Sequence, residues 1–262
     1  MLNPAERFEI IVPADRGISA VACNPQTHAT FKRLFERSQL EPFASEVLQY
    51  ADYCVLFKNE SSQHITALTL VWEYPHPTLK GPPGNVSRSD AYYFGNHPEG
   101  VVPARSEALF YPKRTIPAAA LEYESLVFMS GEIRRNGLSD LDMMREAPRV
   151  AVTFDAVVFQ DGRVLGDDEA GTVDFITSRK KAANDFVTLI RRAKQGGEDV
   201  DDVLGKLLAQ ETGNFREDPY GFWLRSFARQ LQISPDREIG LAQYGELPKL
   251  PTFVLDSSPN SE

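Results

Sequence analysis

The chain has 262 residues, 42% of them hydrophobic and 25% charged, so it carries enough apolar material for a sizeable core without disulfides or metals as staples. A formal net charge of -9 argues against non-specific binding to nucleic acid or to anionic lipid. The opening residues Met1–Arg7 lack the apolar stretch of a secretion signal, and no run approaches the roughly 18 apolar residues of a membrane span, so a cytoplasmic protein without membrane insertion is expected.

Phe8–Val12 reads as a first short strand, stopped by Pro13. A surface helix is expected at about Gln26–Ser38, where Phe31, Leu34 and Phe35 share a face. Tyr53–Lys58 and His64–Tyr74 then read as two strands of a hairpin joined through Asn59-Glu60-Ser61-Ser62. The second strand is apolar on both faces, as suits a strand covered on both sides. Pro75–Ser89 is dense in proline and glycine and reads as an exposed loop. Short strands are expected at Ala91–Phe94, Glu107–Tyr111 and Leu126–Met129, and a brief helix at Leu138–Arg145 with Ser139 or Asp140 as its cap.

Val150–Gln160 is a long β-branched and aromatic run, followed by Asp161-Gly162 and Arg163-Val164-Leu165. Asp-Gly between such runs is a strong hairpin signal, because the turn needs positive φ and glycine supplies it without steric cost. The acidic residues Asp167-Asp168-Glu169 then mark a helix start, favoured by the helix dipole. Helices are expected at about Val173–Gln195, ended by Gly196-Gly197, at Val200–Gln210, and from Asp218-Pro219 onward with Trp223, Phe227 and Leu231 inward. After Ser234-Pro235 the pattern decays into an irregular tail.

Two segments, Val55–Ala67 and Phe154–Asp168, resemble a group of uncharacterised bacterial Ig-like β-sandwich proteins. The first resembles their strand, N-x-S and I-x-A hairpin, and the second their DAVVF-x-DG segment, after which a helical region also follows. That resemblance implies a fold and no activity. The architecture expected is α+β: an antiparallel Ig-like β-sandwich over residues 1–166, a helical region over 167–234 and an irregular tail over 235–262.

Functional signals are weak. Cys23 and Cys54 lack any metal-ligand spacing and read as inert thiols, with a mutual disulfide left open. His28, His64, His76 and His97 form no HExxH or other i, i+4 pair. The run Asp161–Glu169 fails the calcium-loop pattern, and turn plus helix cap account for each of its residues. Asp155 falls mid-strand, either on a solvent-facing edge or buried with a raised pKa. Arg179-Lys180-Lys181 and Arg191-Arg192 read as a solvated helix face. Asn59-Glu60-Ser61 and Asn85-Val86-Ser87 match the glycosylation sequon, a short pattern that recurs by chance.

Around the proline-rich loop, Trp72 reads as core, whereas Tyr74, His76, Tyr92, Tyr93 and His97 are the candidate binding patch. No nucleophile elbow, phosphate loop or dinucleotide fingerprint occurs. The expectation is a non-enzymatic binding or scaffold module with a protein partner and no cofactor. The alternative is an enzyme or small-ligand-binding protein with a site near His76, Tyr92 and His97.

Overall fold

The computed structural model describes residues 7–23, 48–75, 84–92, 100–112, 114–117, 140–210 and 217–256. The expected helix at Gln26–Ser38 and strand at Leu126–Met129 lie outside them. The described chain divides into a sheet unit, which runs to Asp167 and takes in Phe253–Asp256, and a helical unit built on Asp168–Thr252 that includes Ala91 and Tyr92.

The sheet unit holds two sheets. The larger joins β1 (Phe8–Ile11), β4 (Ile65–Glu73), β5 (Gly84–Asp90), β8 (Val150–Phe159), β9 (Arg163–Leu165) and β10 (Val254–Leu255) in the order β10-β9-β8-β4-β5. β1 lies beside the first half of β8, on the edge whose second half takes β9. The smaller sheet has the order β2-β3-β6-β7, from β2 (Ile18–Cys23), β3 (Cys54–Asn59), β6 (Ser106–Tyr111) and β7 (Arg114–Pro117).

This arrangement overturns the expected antiparallel Ig-like sandwich. β1 runs parallel to β8 and β10 parallel to β9, so the larger sheet is mixed. Parallel neighbours need long connections, and here those span most of the chain or the whole helical unit. A residue pattern reports which segments are extended; it does not report which partner they meet or in which direction.

The hairpin expected at Asn59–Ser62 is an arch between sheets. β3 pairs with β2 and β6, whereas β4 pairs with β5 and β8. Buried Asn59 fixes the crossing: its Nδ2 donates to the carbonyls of Gln63 at 2.9 Å, Val102 at 3.2 Å and Pro103 at 2.9 Å. Its Oδ1 accepts from Ser61 N and Oγ. A side chain so engaged cannot serve as a glycosylation acceptor.

The expected loop at Pro75–Ser89 also needs correction from Gly84 onward. Gly84–Asp90 forms β5, a strand antiparallel to β4 at the end of the sheet order, with every residue partly buried. The breakers precede the strand, and Gly84 opens it where a Cβ would meet the Trp72 carbonyl oxygen at 2.5 Å. Ala91 and Tyr92 form a turn, so the strand expected from Ala91 does not begin there.

Between the two sheets lies an aromatic core. Phe154 on β8 stacks on Phe57 of β3 with centroids 5.0 Å apart, and meets Phe110 of β6 edge-on at 5.7 Å. Trp72 is fully buried and stacks on Phe8 at 6.0 Å, as its core reading requires. Helix α1 (Asp140–Glu146) adds Leu141, Met143 and Met144 to the same core. Cys54 is a buried thiol that points its Sγ at the Tyr50 carbonyl, 3.4 Å away.

The helical unit follows the sequence pattern closely. Helix α2 (Thr172–Gly196) starts under the Asp168 carboxylate, which accepts from Thr172 N at 2.6 Å and Val173 N at 3.1 Å. It ends at Gly197, whose φ of 73° places it in the left-handed region that glycine enters freely. Asp199 caps α3 (Val200–Leu208), and Asp218 with Pro219 starts α4 (Pro219–Ile233). The tail expected to be irregular carries α5 (Arg237–Gly245), capped by Asp236, and then strand β10. Phe186, Trp223, Phe227 and Tyr244 pack at the centre of these helices.

Candidate functional site

Of the proposed patch, Tyr74 and Tyr92 fall within the described residues, and both are buried. Tyr74 follows β4 and donates its hydroxyl to Asp140 Oδ1 at 3.1 Å, tying the end of the strand to α1. Tyr92 groups with the helical unit. His76, Tyr93 and His97 lie outside the described residues, as does His28. His64 directly precedes β4, and its Nδ1 accepts the Ala104 N–H at 3.1 Å and so braces the loop before β6.

The acidic run resolves into local bonds. Asp161 Oδ1 accepts from Arg163 N at 3.0 Å inside the hairpin, and Asp168 is used by the cap of α2. Among the described residues, no three His, Cys, Asp or Glu side chains gather to hold a metal ion. No described helix is long and apolar enough to cross a membrane.

Asp155 is buried, and the pairing explains its place. Thr69 pairs with Ala156 and Leu70 with Phe154, so Asp155 is the extra residue of a β-bulge in β8. Bulges re-aim a side chain and bend the strand. The sequence offered only a carboxylate in a strand, because a bulge depends on the register of the partner.

The basic helix face divides. Arg179 is 2% exposed, with its guanidinium 5.2 Å from the centroid of Trp223 and 6.0 Å from that of Phe175. The solvated reading fails for it, while Lys181, Arg191 and Arg192 are exposed. The signal was available: Arg179 lies in helical phase with Ile176, Ala183 and Phe186, three of the buried residues of α2. Guanidinium stacks well on aromatic faces, so the site suits arginine better than lysine.

Lys181 sits over the ring of Tyr220, 5.0 Å from its centroid, and the Tyr220 hydroxyl donates to Asp185 Oδ2 at 2.9 Å. Desolvation by burial, then the hydrogen bond and charge of Asp185, push the Tyr220 phenol up to about 12 from 10.0. A raised phenol pKa favours the protonated native state. The contribution is therefore complete below about pH 10 and lost as pH rises through about 12. Thermal melts of the protein and Tyr220→Phe between pH 8 and 12 should differ by a constant Tm gap up to about pH 9.5, and the gap should close above that. A gap independent of pH throughout would rule out this coupling.

The other notable surface is the corner between α4 and α5. Ile233 ends α4 and is 76% exposed; Ile239, in the first turn of α5, is 58% exposed. The corner between them is braced. Ser234 Oγ donates to the Asp236 carbonyl at 2.8 Å, and Asp236 Oδ1 accepts from Glu238 N and Ile239 N, both at 3.0 Å. Gly240 lets α5 approach the end of α4, since a Cβ there would lie 3.2 Å from Leu231 Cδ1. Sequence periodicity missed this corner because it assigned no helix after Pro235. Comparison with family models, with curated proteins and with solved structures gives no match to this chain.

Proposed function

We propose that the protein is a non-enzymatic binding module whose partner is another protein. The observation that supports this reading is the exposure of Ile233 and Ile239 on a braced helix corner. Exposed branched side chains on a rigid element lose little conformational freedom when a partner covers them, which is how an anchor pair contributes affinity. Neighbouring buried positions such as Leu231 and Leu241 hold the corner to the helical core.

The test compares captured proteins rather than counting them. The tagged protein and its Ile233→Asp/Ile239→Asp variant are used as bait in lysate of the native organism, with quantitative mass spectrometry as readout. Both residues face water, so the variant should keep its Tm within about 2 °C, as surface substitutions do. The expected result is at least one protein captured tenfold more strongly by the parent. Identical capture by parent and variant, or no capture by either, rejects the reading.

A further inference from the structure

We propose that Cys23 and Cys54 are a redox-sensitive thiol pair, which closes into a cross-strand disulfide by exchange with a small-molecule disulfide and so pins the outer strand β2 to β3. This pair is separate from the corner of α4 and α5 and does not depend on it.

The chain has two cysteines, and the strand register brings them together. β2 runs antiparallel to β3 from Ile18↔Asn59 to Cys23↔Cys54, so the two stand directly opposite one another at the end of the ladder. The Gly17 carbonyl accepts from Glu60 N at 2.8 Å, and in an unbroken antiparallel ladder every second pair from there shares that hydrogen-bonded spacing. The series runs through Ser19↔Lys58 and Val21↔Leu56 to Cys23↔Cys54. Residues opposed in this way have Cα atoms about 5.5 Å apart, inside the roughly 4.4–6.8 Å that a disulfide spans.

The two positions differ in access, which sets the order of the chemistry. Cys54 is buried, and its Sγ donates to the Tyr50 carbonyl at 3.4 Å, a weak bond that costs little to give up. Cys23 ends β2, the outer strand of the smaller sheet, directly after Val21, which is 47% exposed, and exposed Ala22. First attack on an external disulfide therefore falls to Cys23. Its thiolate bonds to one sulfur, and the other leaves as a thiolate that takes up a proton. Cys54, as thiolate, then attacks the Cys23 sulfur and expels the second small thiolate, which is protonated in turn. The two protein thiols are oxidised by two electrons, and the external disulfide is reduced to two thiols. The new bond closes the chain between residues 23 and 54 into a loop, which restrains the unfolded chain more than the folded sheet.

The test exposes the full chain, folded and reduced, to an excess of oxidised glutathione in native buffer. Non-reducing peptide mapping of the monomer should find Cys23 joined to Cys54, with two hydrogens lost from the intact mass. The oxidised sheet unit, followed through Trp72 in a Trp223→Phe background, should melt at least about 4 °C higher than the reduced one. Dithiothreitol should restore the reduced Tm. Cys54→Ala should stop at a glutathione adduct on Cys23, and Cys23→Ala should stay unmodified over the same period. The linked peptide in the parent chain needs neither variant, so it decides the matter even where a variant fails to fold. Absence of that peptide from the folded monomer, a link found only between two chains, or an oxidised Tm no higher than the reduced one overturns the proposal. Modification of Cys23→Ala at the parent's rate overturns the order of attack.

Discussion

Phe154→Ala is expected to lower the unfolding free energy of the sheet unit by about 3–5 kcal/mol, near the top of the range for a single substitution. The side chain is fully buried and touches both partners of its three-ring cluster, Phe57 at 5.0 Å and Phe110 at 5.7 Å. Truncation removes its own transfer free energy and leaves a cavity between two sheets. Neither sheet can close that cavity without disturbing its hydrogen-bond ladder. The loss of paired ring contacts adds to this, at about 0.5–1.5 kcal/mol for each pair. Urea unfolding in a Trp223→Phe background isolates the effect, because Trp72 is then the sole tryptophan and lies within the sheet unit. A shift below about 1 kcal/mol would mean that the cluster does not hold the sheets together.

Gly166→Ala is expected to cost on the order of 3 kcal/mol, combining backbone strain with a steric clash. Gly166 has a φ of +96°, and a Cβ there would lie 2.3 Å from the Asp155 carbonyl oxygen and 2.9 Å from its carbon. The neighbour is backbone at the bulge of β8, so it cannot swing aside as a long side chain would. Gly171→Ala is the control: its φ is +69°, yet nothing lies within 4 Å of the added carbon. It should cost only the strain, about 1 kcal/mol. Chemical denaturation of the two variants separates these contributions, and equal losses would show that the close approach at Asp155 is not limiting.

Local features were legible in the sequence wherever local chemistry determines them. Asp161-Gly162 made its turn, with Gly162 at a φ of +94°, and the cap at Asp218 started its helix where the side chain could reach the Gly221 N–H. Long-range features were not legible. Asn59-Glu60-Ser61-Ser62 has the composition of a hairpin turn, but the contacts of Asn59 with Val102 and Pro103 turn it into an arch. The parallel pairs had no sequence signal, because the period of two is the same in either direction. Arg179 misleads for a different reason: its charge masks its place on the apolar stripe of α2.

The candidate site was less legible still. Tyr74 belongs to a group of aromatics around a loop, which is the pattern of a binding patch, but its hydroxyl anchors α1 through Asp140. Exposed apolar side chains at a helix corner have no distinct pattern, since an isoleucine reads the same whether it faces water or the core. The exposure of Ile233 and Ile239 follows from which face of the corner the helical core occupies.

The pairing of β1 with β8 also has a consequence in time. Phe8 meets Val150, so the first strand must wait for roughly 140 residues of synthesis before its partner exists. At about 5–20 residues per second, that is a delay on the order of 10 s during which Phe8 and Ile10 lack their final cover. β10 comes later still, after the whole helical unit. The larger sheet is thus assembled from the middle outward, with its first-made strand among the later ones to be seated. Such non-local closure slows folding and leaves apolar strand faces uncovered until their partners have been made.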